Sequence, residues 1–113
     1  MKRNCIFIDL DGTVIKHCVA SEWFKPIVLL PGVFDIFGVW EREGSKIILV
    51  TGRKESNRRF LESELERVKL PYDLLLMDCG SGNRFLINDK KGCFDSAFAV
   101  NAVRDLGVTK DWI

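Results

Sequence analysis

The sequence has little of what a metal-binding or disulfide-stabilised protein needs. It contains a single histidine, and its four cysteines (Cys5, Cys18, Cys79 and Cys93) include no CxxC pair. Structural zinc sites use paired Cys or His ligands, and disulfide scaffolds carry denser cysteines. These absences exclude a multi-histidine metal site and a disulfide framework, so we expect reduced thiols.

An excess of charge and a long apolar run are also missing. The 17 Lys and Arg side chains are balanced by 16 Asp and Glu, which gives a net charge of +1. A nucleic-acid-binding domain usually carries a clear positive excess, so we expect no nucleic acid partner. No apolar run reaches the roughly 20 residues that span a bilayer, and Asp9 and Asp11 interrupt the one near the start. We therefore expect a cytoplasmic protein with no membrane partner.

Apolar runs alternate with amphipathic segments along the chain. Runs at 5–8, 47–50, 72–77 and 84–87 predict four strands, and residues 97–101 predict a short last one. Apolar residues at helical spacing predict helices after residue 32 and before Pro71. This alternation predicts one domain over residues 1–113, a Rossmann-like three-layer α/β/α fold with a parallel sheet.

Polar residues follow three of the predicted strands. The first run ends in Asp9 and Asp11, the second in Thr-Gly-Arg at 51–53, and the fourth in Asn-Asp at 88–89. Ligands of parallel sheets bind at the carboxyl ends of the strands, so we expect Asp9, Asp11 and Asp89 to meet with Thr51 in reach. Three carboxylates together require a cation, and ligands that are all oxygen favour Mg²⁺. The pattern predicts a site for phosphoryl transfer.

The Asp-x-Asp pair supplies the chemistry that such a transfer needs. One ionised carboxylate can attack phosphorus and form an aspartyl-phosphate, while the other holds a proton for the leaving group. Gly12 permits the turn that follows the strand.

Residues 6–13, Ile-Phe-Ile-Asp-Leu-Asp-Gly-Thr, resemble the first motif of the haloacid dehalogenase (HAD) superfamily, DxDGT after an apolar strand. Residues 50–53 resemble its second motif, and residues 86–89 resemble its acidic fourth motif. The resemblance extends over nearly the whole chain and implies a Mg²⁺-dependent phosphatase that forms an aspartyl-phosphate. The second aspartate of DxD distinguishes the phosphatases and mutases of this family from its ATPases and dehalogenases.

The resemblance also implies roles for single residues. Asp9 would be the nucleophile and Asp11 the general acid and base, and Mg²⁺ would be held by Asp9, the carbonyl of Asp11, and Asp89. Thr51 and neighbouring amides would hold the phosphoryl group. The full set of implied substrate-binding residues is Gly12, Thr13, Thr51, Gly52 and Arg53.

The third motif of the family, a cation that neutralises nucleophile and phosphate, has no clear match. Small HAD-like proteins linked to surface-polysaccharide biosynthesis share similar segments at 30–33, 51–56 and 86–91, which makes Lys91 the first choice. Arg84 is the second choice and Lys90 a third, and each can instead be a solvated surface cation.

Residues 14–30 form the only long connection before the first predicted helix. They suffice for a hairpin flap but not for a cap domain, so the chain resembles the capless HAD class. Apolar flap residues such as Trp23, Phe24 and Ile27 either fold onto the core or form a homo-oligomer contact.

Three functions are compatible with the pattern. The leading one is hydrolysis of a small phosphorylated metabolite such as a sugar phosphate. The alternative is a catalytically weak HAD-like module that binds Mg²⁺ and phosphate for a regulatory purpose. A receiver-type domain is disfavoured, because Asp-x-Asp-Gly-Thr stands on the first predicted strand.

Overall fold

Three β-strands and two α-helices alternate along residues 3–112, the part of the chain that the computed structural model describes. No helix in these residues is long and apolar enough to cross a membrane, since each α-helix has ten residues. The elements are β1 (Cys5–Asp9), α1 (Val33–Arg42), β2 (Lys46–Val50), α2 (Arg58–Arg67) and β3 (Leu74–Leu76), with 3₁₀ turns at Ala20–Glu22, Glu55–Asn57 and Lys110–Trp112.

The strands form a parallel sheet in the order β1-β2-β3. Asp9 pairs with Val50, and Val50 pairs with Leu76, so the three strands end at nearly the same level. This confirms the prediction of a parallel α/β sheet. It also places the residues after β1 and after β2 side by side.

Both helices pack on the same face of the sheet. Sequential parallel strands joined by right-handed crossovers require this arrangement. Gly32 precedes α1 with a φ of 80°, and Gly44 follows it with a φ of 75°, values that suit glycine at both ends of the helix. The core joins the inner sheet face to both helices and contains Ile6, Ile8, Ile47, Leu49 and Leu75 from the strands with Val33, Ile36, Phe37, Trp40, Leu61 and Leu65 from the helices.

The opposite sheet face has no helix over it in residues 3–112. Phe7 is 53% exposed, and Leu74 and Leu76 on the same face are also exposed. The predicted third layer is therefore missing from the described residues, which form two layers. Apolar residues on both faces of β1 predict a helix layer on each face of the sheet. The composition of one strand does not reveal whether the second layer is present.

The predicted strands at 84–87 and 97–101 are wrong, because neither segment forms a strand in the structure. Residues 85–87 are exposed, and Ile87 is 94% exposed. A run of strand-forming residues becomes a strand only when a sheet edge pairs with it. β1 is an edge strand in the described sheet, and these segments do not join it.

Residues 14–30 form the expected hairpin-like flap. Ile15 and Leu29 make an antiparallel bridge. The amide of Lys16 donates to the carbonyl of Val28 at 2.9 Å, and the amide of Leu30 donates to the carbonyl of Val14 at 3.0 Å. Its apolar side chains divide between two environments. Ile27 and Leu30 join the core, whereas Phe24 and Val28 are exposed.

Phe37→Ala should lower the free energy of unfolding by about 3–5 kcal/mol, because it empties a fully buried position between α1 and the sheet. Phe34→Ala on the same helix is the matched control. Phe34 is 56% exposed, so its removal should cost less than about 1 kcal/mol. Urea unfolding of both variants measures the difference, and equal losses would contradict this assignment of the core.

Candidate active site

A tight turn after β1 sets the positions of both aspartates. The carbonyl of Leu10 accepts the amides of Val14 and Ile15, at 2.9 and 3.0 Å. The amide of Gly12 donates to the carbonyl of Ile15 at 2.7 Å, and Gly12 has a φ of 88°, where a side chain would be strained. Asp9 thus ends the strand, and Asp11 stands at the start of the turn.

The carboxylate of Asp11 is bound by two residues that follow β2. Nε and Nη2 of Arg53 donate to its Oδ1 at 3.0 and 2.9 Å, and Nε also approaches Oδ2 at 3.3 Å. The hydroxyl of Thr51 donates to Oδ2 at 2.8 Å. The Arg53 side chain is 2% exposed, so this is a nearly buried ion pair.

The other donors of Arg53 reach the flap and the beginning of α2. Nη1 donates to the carbonyl of Trp23 and to Oδ1 of Asn57, both at 3.0 Å. Nδ2 of Asn57 donates to the same Trp23 carbonyl at 3.0 Å, and Asn57 is buried. Nη2 of Arg53 also approaches Sγ of Cys18 at 3.6 Å. The guanidinium therefore links the turn after β1 to the flap and to α2.

Asn57 is not among the residues that the sequence patterns predict for the site. An asparagine that precedes a helix usually suggests a cap, but its side chain makes no capping hydrogen bond here. The available signal was its position four residues after Arg53. A main-chain carbonyl, such as that of Trp23, leaves no signal in the sequence.

In the structure, Thr51 and Arg53 hold Asp11. The Thr51 hydroxyl donates its proton to Asp11 and accepts the amide of Arg53 at 3.1 Å. A phosphate-binding role for Thr51, Gly52 and Arg53 stays a prediction. Close packing explains why the neighbouring residue 52 is a glycine, because a Cβ there would lie 2.9 Å from the carbonyl oxygen of Gly80.

Asp9 has a different environment from Asp11. Among residues 3–109 and 111–112, whose side chains the structure describes, its carboxylate forms no ion pair, and its hydrogen-bond donor is the hydroxyl of Thr13 at 3.4 Å. Partial burial raises the pKa of Asp9, and the nearby charge of Asp11 raises it further, while the charge of Arg84 opposes the rise. Asp9 is thus the carboxylate that lacks a close cation.

Asp89 does not meet the other two aspartates. It is exposed and pairs with Lys91 at 3.2 Å, and Lys90 lies 3.6 Å from Asp95. Over the part of the chain that the structure describes, no three Asp, Glu, His or Cys side chains group closely enough to hold a metal ion. The expected meeting of three carboxylates depended on a strand at 84–87, and that strand is not formed.

Of the predicted cations, Arg84 acts on Asp9, whereas Lys91 does not. Its guanidinium donates to the carbonyls of Cys79, Gly80 and Gly82, at 3.0–3.3 Å. This fixes it on the loop after β3, from where its charge acts on Asp9. The ammonium of Lys91 contacts Asp89 instead.

No protein-family model matches the chain, and no curated protein matches it. Solved structures do. A chain of the Pnkp1/Rnl/Hen1 complex is 27% identical over 74% of this chain, with a TM-score of 0.59. A chain of the Pnkp1/Rnl/Hen1 RNA repair complex is 31% identical over 66% of this chain, with a TM-score of 0.55.

This chain spans less than a third of those two relatives, 30% and 25% of their lengths. A structural-genomics target from Vibrio cholerae matches over more of its own length. It is 19% identical, the match covers 90% of this chain and 84% of that one, and the TM-score is 0.55. At that identity the likeness concerns the fold alone, which all three proteins share with this chain in the matched region.

Arg53→Ala should lower the free energy of unfolding by about 3–5 kcal/mol, because it leaves Asp11 without its cation and removes a buried side chain. Arg59→Ala is the control, since Arg59 is an exposed arginine on α2 and its loss should cost about 0.5 kcal/mol or less. Urea unfolding at neutral pH measures both. A loss for Arg53→Ala as small as that for Arg59→Ala would contradict a structural role for the ion pair.

Proposed function

We propose that this protein is a phosphomonoester hydrolase in which Asp9 attacks phosphorus. The observation that carries the proposal is that the two aspartates at the carboxyl end of the sheet have different environments. Asp11 is held by Arg53 and Thr51, whereas Asp9 has no cation partner among the described residues. An unpaired carboxylate with a raised pKa is a better nucleophile than one engaged by a guanidinium.

In the first step, an Oδ atom of Asp9 forms a bond to phosphorus as the bond from phosphorus to the ester oxygen breaks. Because the Asp11 carboxylate starts in an ion pair with Arg53, the proton for that leaving oxygen comes from the singly protonated phosphate of the substrate and passes through Asp11. In the second step, a water molecule gives a proton to Asp11 and attacks phosphorus, the bond to Asp9 breaks, and Asp11 passes that proton to the released inorganic phosphate. Both aspartates return to carboxylates.

The contacts of Asp11 favour one of its oxygens for the proton transfers. Oδ1 receives the two shortest guanidinium contacts, at 3.0 and 2.9 Å. Oδ2 receives the hydroxyl of Thr51 and a longer 3.3 Å contact from Arg53. Since a hydroxyl can rotate to accept rather than donate, we assign the transferred proton to Oδ2.

We include Mg²⁺ in the proposal. The carboxylate of Asp9 and the backbone carbonyl of Asp11 are oxygen donors of the kind that Mg²⁺ takes, and the partly buried Asp9 beside a second carboxylate favours a cation. Asp9 and the carbonyl of Asp11 would hold the ion, and Asp89 does not join them in a group of three possible ligands. When bound, Mg²⁺ would neutralise charge on the phosphoryl oxygens.

Two substrate classes follow from different observations. The resemblance of the motifs to small, capless HAD proteins supports a small phosphorylated metabolite such as a sugar phosphate. Similarity to chains of an RNA repair complex supports a phosphorylated RNA end, contrary to what the balanced net charge suggested. A short flap in place of a cap domain is compatible with either class.

Asp9→Asn should lower the rate of phosphate release from p-nitrophenyl phosphate with Mg²⁺ by roughly 1,000-fold or more, because the amide cannot form the aspartyl-phosphate. Asp35→Asn, at an exposed position on α1, should keep the wild-type rate. Unchanged turnover in Asp9→Asn would remove the nucleophile assignment. Wild-type protein that binds Mg²⁺ and phosphate but hydrolyses no phosphomonoester would instead support the binding module.

The raised pKa of Asp9 predicts how stability depends on pH. The folded state binds the Asp9 proton more tightly than the unfolded state does, so the contribution of Asp9 to the free energy of unfolding falls as pH rises from the ordinary value of 3.8 through the raised pKa. Asp9→Asn should remove this fall and be more stable than wild type at neutral pH. Urea unfolding across the acid range, without added divalent ions, measures the difference, and parallel curves for the two proteins would contradict it.

A further inference from the structure

Residues 104–108, which we call the clasp, bind the turn that carries the aspartates. The amide of Asp105 donates to the carbonyl of Gly12 at 2.8 Å, and its Oδ1 accepts the amide of His17 at 2.8 Å. Asp105 has a φ of 63°, which is uncommon for a residue with a side chain. One residue therefore contacts the turn through both its backbone and its carboxylate.

The other end of the clasp is fixed by close packing. The amide of Val108 donates to the carbonyl of Pro31 at 3.1 Å, and the Val108 side chain belongs to the core. Gly107 has a φ of 88°, and any Cβ there would overlap the Pro31 carbonyl. The position of the clasp is thus specified on both sides of Leu106, in contrast to residues 80–96, which are exposed throughout.

The clasp places Arg104 against the turn. A Cβ built on Gly12 would lie 3.2 Å from Cγ of Arg104 and 3.7 Å from its Nε. Arg104 is exposed, and its guanidinium forms no hydrogen bond or ion pair with any residue in the range 3–112. The neighbouring carboxylate of Asp11 is already neutralised by Arg53. The clasp therefore holds an exposed, unpaired cation against Gly12, in the turn that follows Asp9.

We infer that Arg104 binds a second phosphate group, carried by the leaving group of the substrate, while the first phosphate lies at Asp9. This inference rests on the proposed function. A guanidinium matches two phosphate oxygens in its plane, and its donors here have no protein partner to compete for them. Both a bisphosphorylated metabolite and an RNA end carry such a second phosphate. The ordinary alternative is a solvated arginine whose stem packs on Gly12.

The kinetic test compares Arg104→Gln with wild type on three substrates. Adenosine 3′,5′-bisphosphate and an oligoribonucleotide with a terminal 3′-phosphate both carry a second phosphate, and p-nitrophenyl phosphate does not. Arg104→Gln should lower kcat/KM about tenfold for a substrate with two phosphates and less than about twofold for p-nitrophenyl phosphate. Arg59→Gln, an exposed arginine on α2, should change none of the three. Loss confined to one of the two larger substrates identifies the source of the second phosphate.

Two kinetic outcomes would overturn the inference. An equal fall for all three substrates would mean that Arg104 acts only through the shape of the turn, and no fall for either larger substrate would mean that it is a solvated cation. Arg104→Lys keeps the charge, and it should recover part of the lost kcat/KM if the charge is what binds.

A binding measurement separates this inference from the proposed function. By calorimetry, Arg104→Gln should weaken binding of inorganic pyrophosphate about tenfold and binding of orthophosphate less than about twofold. If this holds while wild type hydrolyses nothing, the proposed function fails and Arg104 keeps its role. If wild type does not bind pyrophosphate, or if the variant binds it equally well, the role of Arg104 is overturned.

Discussion

The buried ion pair between Arg53 and Asp11 is the interaction on which this edge of the sheet depends. Removing a guanidinium from water is costly, and the cost is offset only when its donors all find acceptors. Here they find the Asp11 carboxylate, the Trp23 carbonyl and Asn57. Lysine offers no planar fork and would leave some of these acceptors unmatched. One side chain thus determines where the turn after β1, the flap and α2 meet.

That ion pair also makes two chemically identical side chains different. Asp9 and Asp11 are two residues apart, yet one is neutralised by a cation and the other is partly buried near a like charge. Environments that separate paired carboxylates in this way commonly divide catalytic roles between them. In this protein the division is produced by Thr51 and Arg53, which follow β2, and the flap holds Arg53 through the Trp23 carbonyl, so the division exists only in the folded chain.

Local patterns predicted the parts of the fold whose partners lie nearby in the sequence. The structure contains the helices and strands predicted from the apolar patterns of α1, α2, β1 and β2. Each of these elements buries its apolar side chains against the next one along the chain. The turn at 9–12 was predicted from Gly12 and the aspartates alone. The run at 84–87 was misread, since its strand-forming residues carry no information on whether an edge is there to receive them. Asn57 was missed because its partner is a main-chain carbonyl, which any residue would supply.

The contact between His17 and Asp105 joins residues 88 positions apart. Closing so long a loop has an entropic cost that contacts between sequence neighbours do not share, so we expect this contact to form after them. During synthesis, β1 and the turn with Asp11 leave the ribosome long before Asp105 does. The hydrogen bond from Asp105 to the Gly12 carbonyl therefore cannot form until almost all of the residues described above have emerged. A fragment of this protein cut before residue 104 would keep the aspartates but lose the segment that fastens their turn.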